Sequence, residues 1–179
     1  NAPQGPEASG TTGYKGFFYH FIDMETGHRY RNVELSSVDT TILLMGVLFA
    51  AEYFDRADAA EQEIRKVAAA LYARADWNFF RSDGRIPISM GWHPGQGLID
   101  ANWIGFNEGM FVNILALGSP TFPGPDNLWQ AWTAPYPKFW RGEGPTRRVA
   151  FAPLMPGQYS QIFIDFRGIR DAVMRDAGF

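Results

Sequence analysis

The sequence predicts a mainly α-helical protein, its helices in two concentric layers and short β-hairpins in the connections. Three observations predict it. Thr40 to Asp55 and Asn107 to Leu117 are apolar nearly all round, the pattern of inner helices covered on every side. Ala57 to Arg74 has Ile64, Val67, Ala68, Leu71 and Tyr72 at three- and four-residue spacing, with Glu61, Glu63, Arg65 and Lys66 elsewhere, so it reads as an outer helix with one wet face. Asp76 to Trp103 and Pro135 to Gly157 lack helical periodicity and each exceed twenty residues, whereas the connections of a plain four-helix bundle run ~2 to 8 residues.

In chain order, Asn1 to Gly13 is rich in Gly, Pro, Ala, Ser and Thr and reads as a linker or frayed tail, so order is expected from Tyr14 to Phe179. Gly16 to Asp23 has strand character, and Glu25-Thr26-Gly27 signals a turn toward Arg31 to Glu34. Ser36-Ser37-Val38-Asp39 supplies caps for the first inner helix. Ile86-Pro87 and Trp92-His93-Pro94-Gly95 mark the long segment that follows the outer helix as a structured loop or hairpin. Gly118 and Pro120 close the second inner helix. A short helix over Pro125 to Trp132 and a terminal one over Ile169 to Ala177 complete the reading.

Composition excludes several chemistries. Net charge is −3 and no run of Lys or Arg forms a basic patch, so nucleic acid is not the expected partner. With no Cys, disulfides, thiolate metal sites and Cys nucleophiles are absent together. His20, His28 and His93 lack zinc-ligand spacing, so no metal and no other cofactor is expected. The longest apolar stretch, Ile42 to Ala51, is about half the ~20 residues of a membrane-spanning helix. Aromatic residues reach 16% with six Trp, and such rings serve either a large core or stacking against apolar ligand faces.

Two acids recur in one setting. Asp39 opens the first inner helix and Glu108 the second, which places them at the same end of neighbouring helices whose axes, if packed directly, lie roughly 8 to 10 Å apart. A carboxylate pair facing one cavity suits glycoside hydrolysis, in which one acid delivers a proton to the leaving oxygen and the other acts as base or nucleophile. Acids at helix starts are also favoured simply as caps. Asp100 lies just upstream of Glu108. Trp92, His93, Trp103 and Asn107 surround that stretch, as a sugar platform with hydrogen-bonding groups or as loop core. Asp23 and Glu34 flank the first turn as further candidates, with a solvated turn role as their default.

Several blocks together resemble the glucoamylase-like family: Gly16-Phe17-Phe18-Tyr19-His20-Phe21-Ile22-Asp23, Glu34-Leu35-Ser36-Ser37-Val38-Asp39-Thr40, Leu71-Tyr72-Ala73-Arg74-Ala75-Asp76-Trp77, Met90-Gly91-Trp92, Trp103-Ile104-Gly105-Phe106-Asn107-Glu108-Gly109-Met110, Leu115-Ala116-Leu117-Gly118-Ser119-Pro120 and Ile164-Asp165-Phe166-Arg167-Gly168-Ile169. That family includes bacterial endo-β-1,2-glucanases, and similar domains occur in cyclic β-1,2-glucan synthases. The resemblance implies an (α/α)6 toroid and a glycoside hydrolase or transglycosylase acting on β-1,2-glucan without a metal. Glu108 matches the family's general acid and Asp39 one of its active-site acids. Tyr19, Asp23, Glu34, Trp92, His93, Asp100, Trp103 and Asn107 are the expected substrate contacts. The alternative is a non-catalytic glucan-binding or structural piece of a toroid.

Two helical hairpins and the beginning of a third amount to about half a ring. Another chain or a missing segment is therefore expected to complete it, and the flanks Leu43 to Phe49 and Met110 to Leu115 are expected to be exposed. Glucan-processing relatives imply the bacterial periplasm or exterior.

Overall fold

The computed structural model describes residues 3–178. It is mostly helical with small sheets, as the periodicities predict. A hairpin opens the chain, pairing β1 (Gly13–Tyr14) antiparallel with β2 (Phe17–Phe18). Its turn residues Lys15 and Gly16 have φ of 55° and 85°, which matches the twist a two-residue hairpin needs. Gly16 is required twice over, because a Cβ there would stand 2.3 Å from the Arg74 carbonyl oxygen.

The composition of residues 1–13 suggests a tail, and for residues 3–13 the structure corrects this. The Gly5 amide donates to the Gly13 carbonyl at 2.9 Å, the Gln4 side chain accepts from the Gly16 amide at 2.9 Å, and Thr11 and Thr12 are buried. Backbone pairing and a side-chain clamp order the segment where apolar burial does not. Asn1, Ala2 and Phe179 lie outside the described residues.

After β2 the chain forms a ribbon, with bridges Tyr19 to Leu35 and Ile22 to Arg29. It then enters β3 (Leu35–Ser36) and runs directly into α1 (Ser37–Tyr53). Helix α1 begins three residues before the predicted start because Ser36 is the cap, accepting from the Asp39 amide at 3.1 Å. Helix α2 (Ala59–Ala73) is capped by Asp58 in the same way and packs along α1.

A 3-10 turn over Trp77–Arg81 leads to β4 (Gly91–His93) and β5 (Gly97–Leu98), which join β3 in an antiparallel sheet of order β3-β4-β5. The long connection is thus partly the hairpin the sequence suggests. Helix α3 (Met110–Leu117) packs on α1 and ends at Gly118, and α4 (Leu128–Thr133) packs on α3. The chain finishes with the hairpin β6 (Trp140–Arg141) and β7 (Arg148–Val149), then α5 (Leu154–Phe163) and α6 (Ala172–Asp176).

The core is aromatic. Phe17 meets Trp77 and Phe80 edge-on at 5.1 and 4.7 Å, and all three are fully buried with Phe111, Leu128 and Trp132. The expected exposure of helix flanks holds for α1, where Leu43 is 48% and Phe49 59% exposed. It fails for α3, whose Phe111, Val112 and Leu115 are buried. Helix α5 is one reason, since Tyr159 approaches Phe111 with ring centroids 6.2 Å apart. The reading of α1 as covered on all sides is corrected accordingly: among the described residues its buried positions are Ser37, Thr40, Thr41, Leu44 and Met45.

Candidate functional site

The site is built where the ribbon, the start of α1 and the segment ahead of α3 meet. One indole joins the two helices. Trp103 is buried, and its ring N–H donates to Ser37 Oγ at 2.9 Å in the first turn of α1. The Ser37 hydroxyl in turn faces the carbonyls of Ser89 and Met90 at 2.8 and 2.9 Å, tying α1 to the strand that becomes β4. The other contact of Trp103 is with Gly109, the cap of α3, where a Cβ would fall 2.5 Å from the ring. Asp39 is two residues beyond Ser37 and Glu108 one before Gly109, so Trp103 brings the backbones that carry both acids to the same end of the packed pair α1 and α3.

The carboxylates differ in their engagement. Asp39 accepts from the Ser36 hydroxyl at 2.5 Å and lies 3.7 Å from His20 Nε2, an ion-pair distance rather than a hydrogen bond. The other imidazole nitrogen, Nδ1, is 2.6 Å from Glu34 Oε1. His20 therefore spans the two acids. Burial alone would raise the Glu34 carboxyl, but its own backbone amide, the His20 hydrogen bond and the charges of His20 and His93 outweigh burial and hold it below the usual carboxylate range. Gly91 makes room for it, since a Cβ there would stand 2.8 Å from Glu34 Cγ.

Glu108 is half-buried in the turn before α3. Among the described residues no hydrogen bond or ion pair engages its carboxylate. No side chain caps α3; Asn107 instead forms a turn ahead of it, its Oδ1 accepting from the Gly109 amide at 2.9 Å while Nδ2 donates to the Ile104 carbonyl at 3.1 Å. Helix α3 accordingly begins at Met110 and not at Asn107 as the sequence suggests.

The remaining predicted contacts divide. Trp103 and Tyr19 are core side chains rather than sugar platforms: Trp103 packs as described, and Tyr19 is 2% exposed beneath the Arg29 guanidinium, 4.9 Å from its ring centre. Asp23 builds its turn, accepting from the Glu25 and Thr26 amides and the Thr26 hydroxyl, and the Thr26 bonds hold its carboxyl below the usual range. Trp92 is half-buried with its ring against Tyr14 and Phe79 at 5.6 and 5.4 Å. His93 Nδ1 faces the Arg29 guanidinium at 3.3 Å. Asp100 is exposed beyond β5, where its charge acts on Arg85.

The residue that sequence reasoning misses is His20, weighed there only as a metal ligand. A usable signal exists. His20 and Glu34 face each other across the ribbon, the His20 amide donating to the Glu34 carbonyl at 2.9 Å, and side chains at such cross-strand positions interact.

Comparison with known proteins bears on this arrangement. Residues 100–177, the segment that contains Glu108, match the family model Glycoamylase, described as "Putative glucoamylase". An exo β-1,2-glucooligosaccharide sophorohydrolase of Parabacteroides distasonis is 28% identical over 129 residues, 68% of this chain and 18% of that protein. A crystal structure titled "putative glucoamylase", from Bacteroides uniformis, superposes with a TM-score of 0.75 at 26% identity over 89% of this chain and 42% of that one. An endo-β-1,2-glucanase from Chitinophaga pinensis, in complex with sophorotriose and glucose, shares the fold with a TM-score of 0.77 at 21% identity and the same coverage. The chain thus spans less than half the length of each of these proteins. The family model, the curated relative and the solved structures point the same way as the sequence motifs, to a similarity with glucoamylase-like proteins.

Proposed function

We propose that this chain carries part of the active site of a glycoside hydrolase that cleaves β-1,2-linked glucan, with Glu108 as proton donor. The observation that carries the reading is the unengaged Glu108 carboxylate beside a helix start that Trp103 ties to the one bearing Asp39. A general acid must exchange its proton with the leaving glycosidic oxygen, so it needs a carboxyl that no internal cation or amide has claimed. Asp39 and Glu34 suit the complementary task. Held by Ser36 and His20, they are fixed acceptors for sugar hydroxyls or for the attacking water. Half-buried Trp92 and His93 border the same sheet, and Asn107 orients the turn that presents Glu108.

The 28% identical relative, named for hydrolysis of β-1,2-glucooligosaccharide, supports this substrate class. In the same reading the helices belong to an (α/α)6 toroid, further helices complete the ring over the exposed flank of α1, and the protein works in the bacterial periplasm or outside the cell.

The test is incubation with linear β-1,2-glucan, alone and with the Glu108→Gln variant, followed by separation of the oligosaccharides. Cleavage by the wild type is expected to fall by at least ~100-fold in the variant, the scale of general acid catalysis. Equal product from both would remove Glu108 from the mechanism.

A further inference from the structure

Beside the carboxylates the ribbon holds two aromatic rings that the acid chemistry does not use. Phe21 is 56% exposed, and its ring stacks on the His20 imidazole with centroids 4.3 Å apart and planes 12° from parallel. His20 is itself held between Glu34 and Asp39. The ring of Phe21 is therefore backed by a side chain that Glu34 holds through Nδ1. Tyr30, whose amide donates to the Phe21 carbonyl at 3.0 Å, presents a second ring that is 39% exposed.

These two rings line an open hollow of about 520 Å³, shared with Ile22, Asp23, Met24 and Glu25. That volume lies within the ~300 to 1,000 Å³ of small-ligand sites. Its lining pairs apolar faces with polar atoms. Asp23 is occupied by Thr26, whereas the Glu25 side chain makes no bond among the described residues and remains an acceptor. A pyranose has the complementary surface, apolar C–H groups on its faces and hydroxyls around its edge.

We propose that the hollow between Phe21 and Tyr30 is a glucosyl-binding subsite, with the Phe21 ring as the stacking surface and His20, behind that ring, as the residue that positions it. The inference rests on the glucan reading above and adds where one sugar unit sits. His20, stacked behind Phe21 and paired with Glu34, links this subsite to the carboxylates, and the subsite takes no part in bond cleavage.

Isothermal titration of the 179-residue chain with sophorotriose tests it, using wild type, Phe21→Ala and Phe21→Trp, with oligosaccharide release measured in parallel. Loss of one aromatic contact is expected to weaken binding about 2- to 12-fold in Phe21→Ala. Phe21→Trp should retain it, and the thermal midpoint should stay unchanged because the ring is exposed. Weaker binding by Phe21→Ala without cleavage by any form would uphold the subsite while the hydrolase reading fell. Wild-type affinity in Phe21→Ala would overturn the subsite and leave the hydrolase reading intact. No binding by the wild type would overturn the subsite together with the glucan reading.

Discussion

Gly109→Ala tests the tie on which the site's geometry depends. Gly109 has φ −67° and ψ 0°, a conformation alanine adopts without backbone strain. The cost is therefore steric. An added Cβ would stand 2.5, 2.7 and 2.9 Å from Trp103 Cε3, Cδ2 and Cβ, closer than carbon atoms approach, so the indole or the start of α3 must shift. Trp103 has little room, being buried and bonded through its ring N–H to Ser37. Overpacking of this kind costs about 1 to 3 kcal/mol. For a chain of this size each kcal/mol lowers the midpoint by roughly 2 to 4 °C, giving an expected fall of roughly 2 to 12 °C.

Gly46→Ala is the control, since Gly46 lies inside α1 with nothing within 4 Å of its would-be Cβ. Removing a helix-interior glycine there should stabilise the protein by about 0.5 to 1 kcal/mol. The assay is thermal unfolding of the three proteins followed by circular dichroism. A Gly109→Ala midpoint at or above the wild type, with Gly46→Ala behaving as expected, would refute the packing of Trp103 against the start of α3.

Ser37→Ala removes the acceptor of the buried Trp103 N–H, which should cost about 1 to 3 kcal/mol in urea unfolding; an unchanged midpoint would mean that the N–H finds another partner. Glu61 is held below the usual carboxylate range by its hydrogen bond to the Arg56 guanidinium. Its folded value lies under its unfolded one, so it stabilises the protein above the unfolded pKa of about 4.5, and that contribution disappears as pH falls through the folded value. The thermal midpoint of Glu61→Gln should accordingly lie below the wild type at pH 7 and approach it as pH falls below about 4.5; a gap that stays constant through acid pH would exclude the ion pair as its cause.

The helices are legible in the sequence where periodicity is unbroken. Helices α1, α2 and α3 occupy their predicted stretches and differ at the ends, where hydrogen bonding and not hydrophobicity decides. Ser36 rather than Asp39 caps α1, and Asn107 forms a turn ahead of α3. Helix α5 is hidden by Pro156 and Gly157, which read as breakers. Pro156 is tolerated because it sits in the first turn, where a backbone N–H has no helical acceptor to lose. Residues 3–13 are misread for a related reason. Their order comes from backbone pairing with Gly13 and from the Gln4 clamp on Gly16, neither of which leaves a compositional trace.

The site is legible as a recurrence and not as an arrangement. Two acids at two helix starts are visible in the sequence, but what sets their relation is Trp103, which reads equally well as ligand platform or as core. Its indole reaches Ser37 across 66 positions of chain, a link that no local pattern encodes. His20 is hidden differently. A lone histidine in a strand has many uses, and only the register of the ribbon, with His20 bonded to the Glu34 backbone and Asp39 one helical turn beyond β3, turns it into a bridge between carboxylates. Backbone register thus selects which acids share a partner. Glu34 and Asp39 share one imidazole, whereas Glu108 makes no hydrogen bond or ion pair among the described residues, and the proposed division of roles rests on this asymmetry.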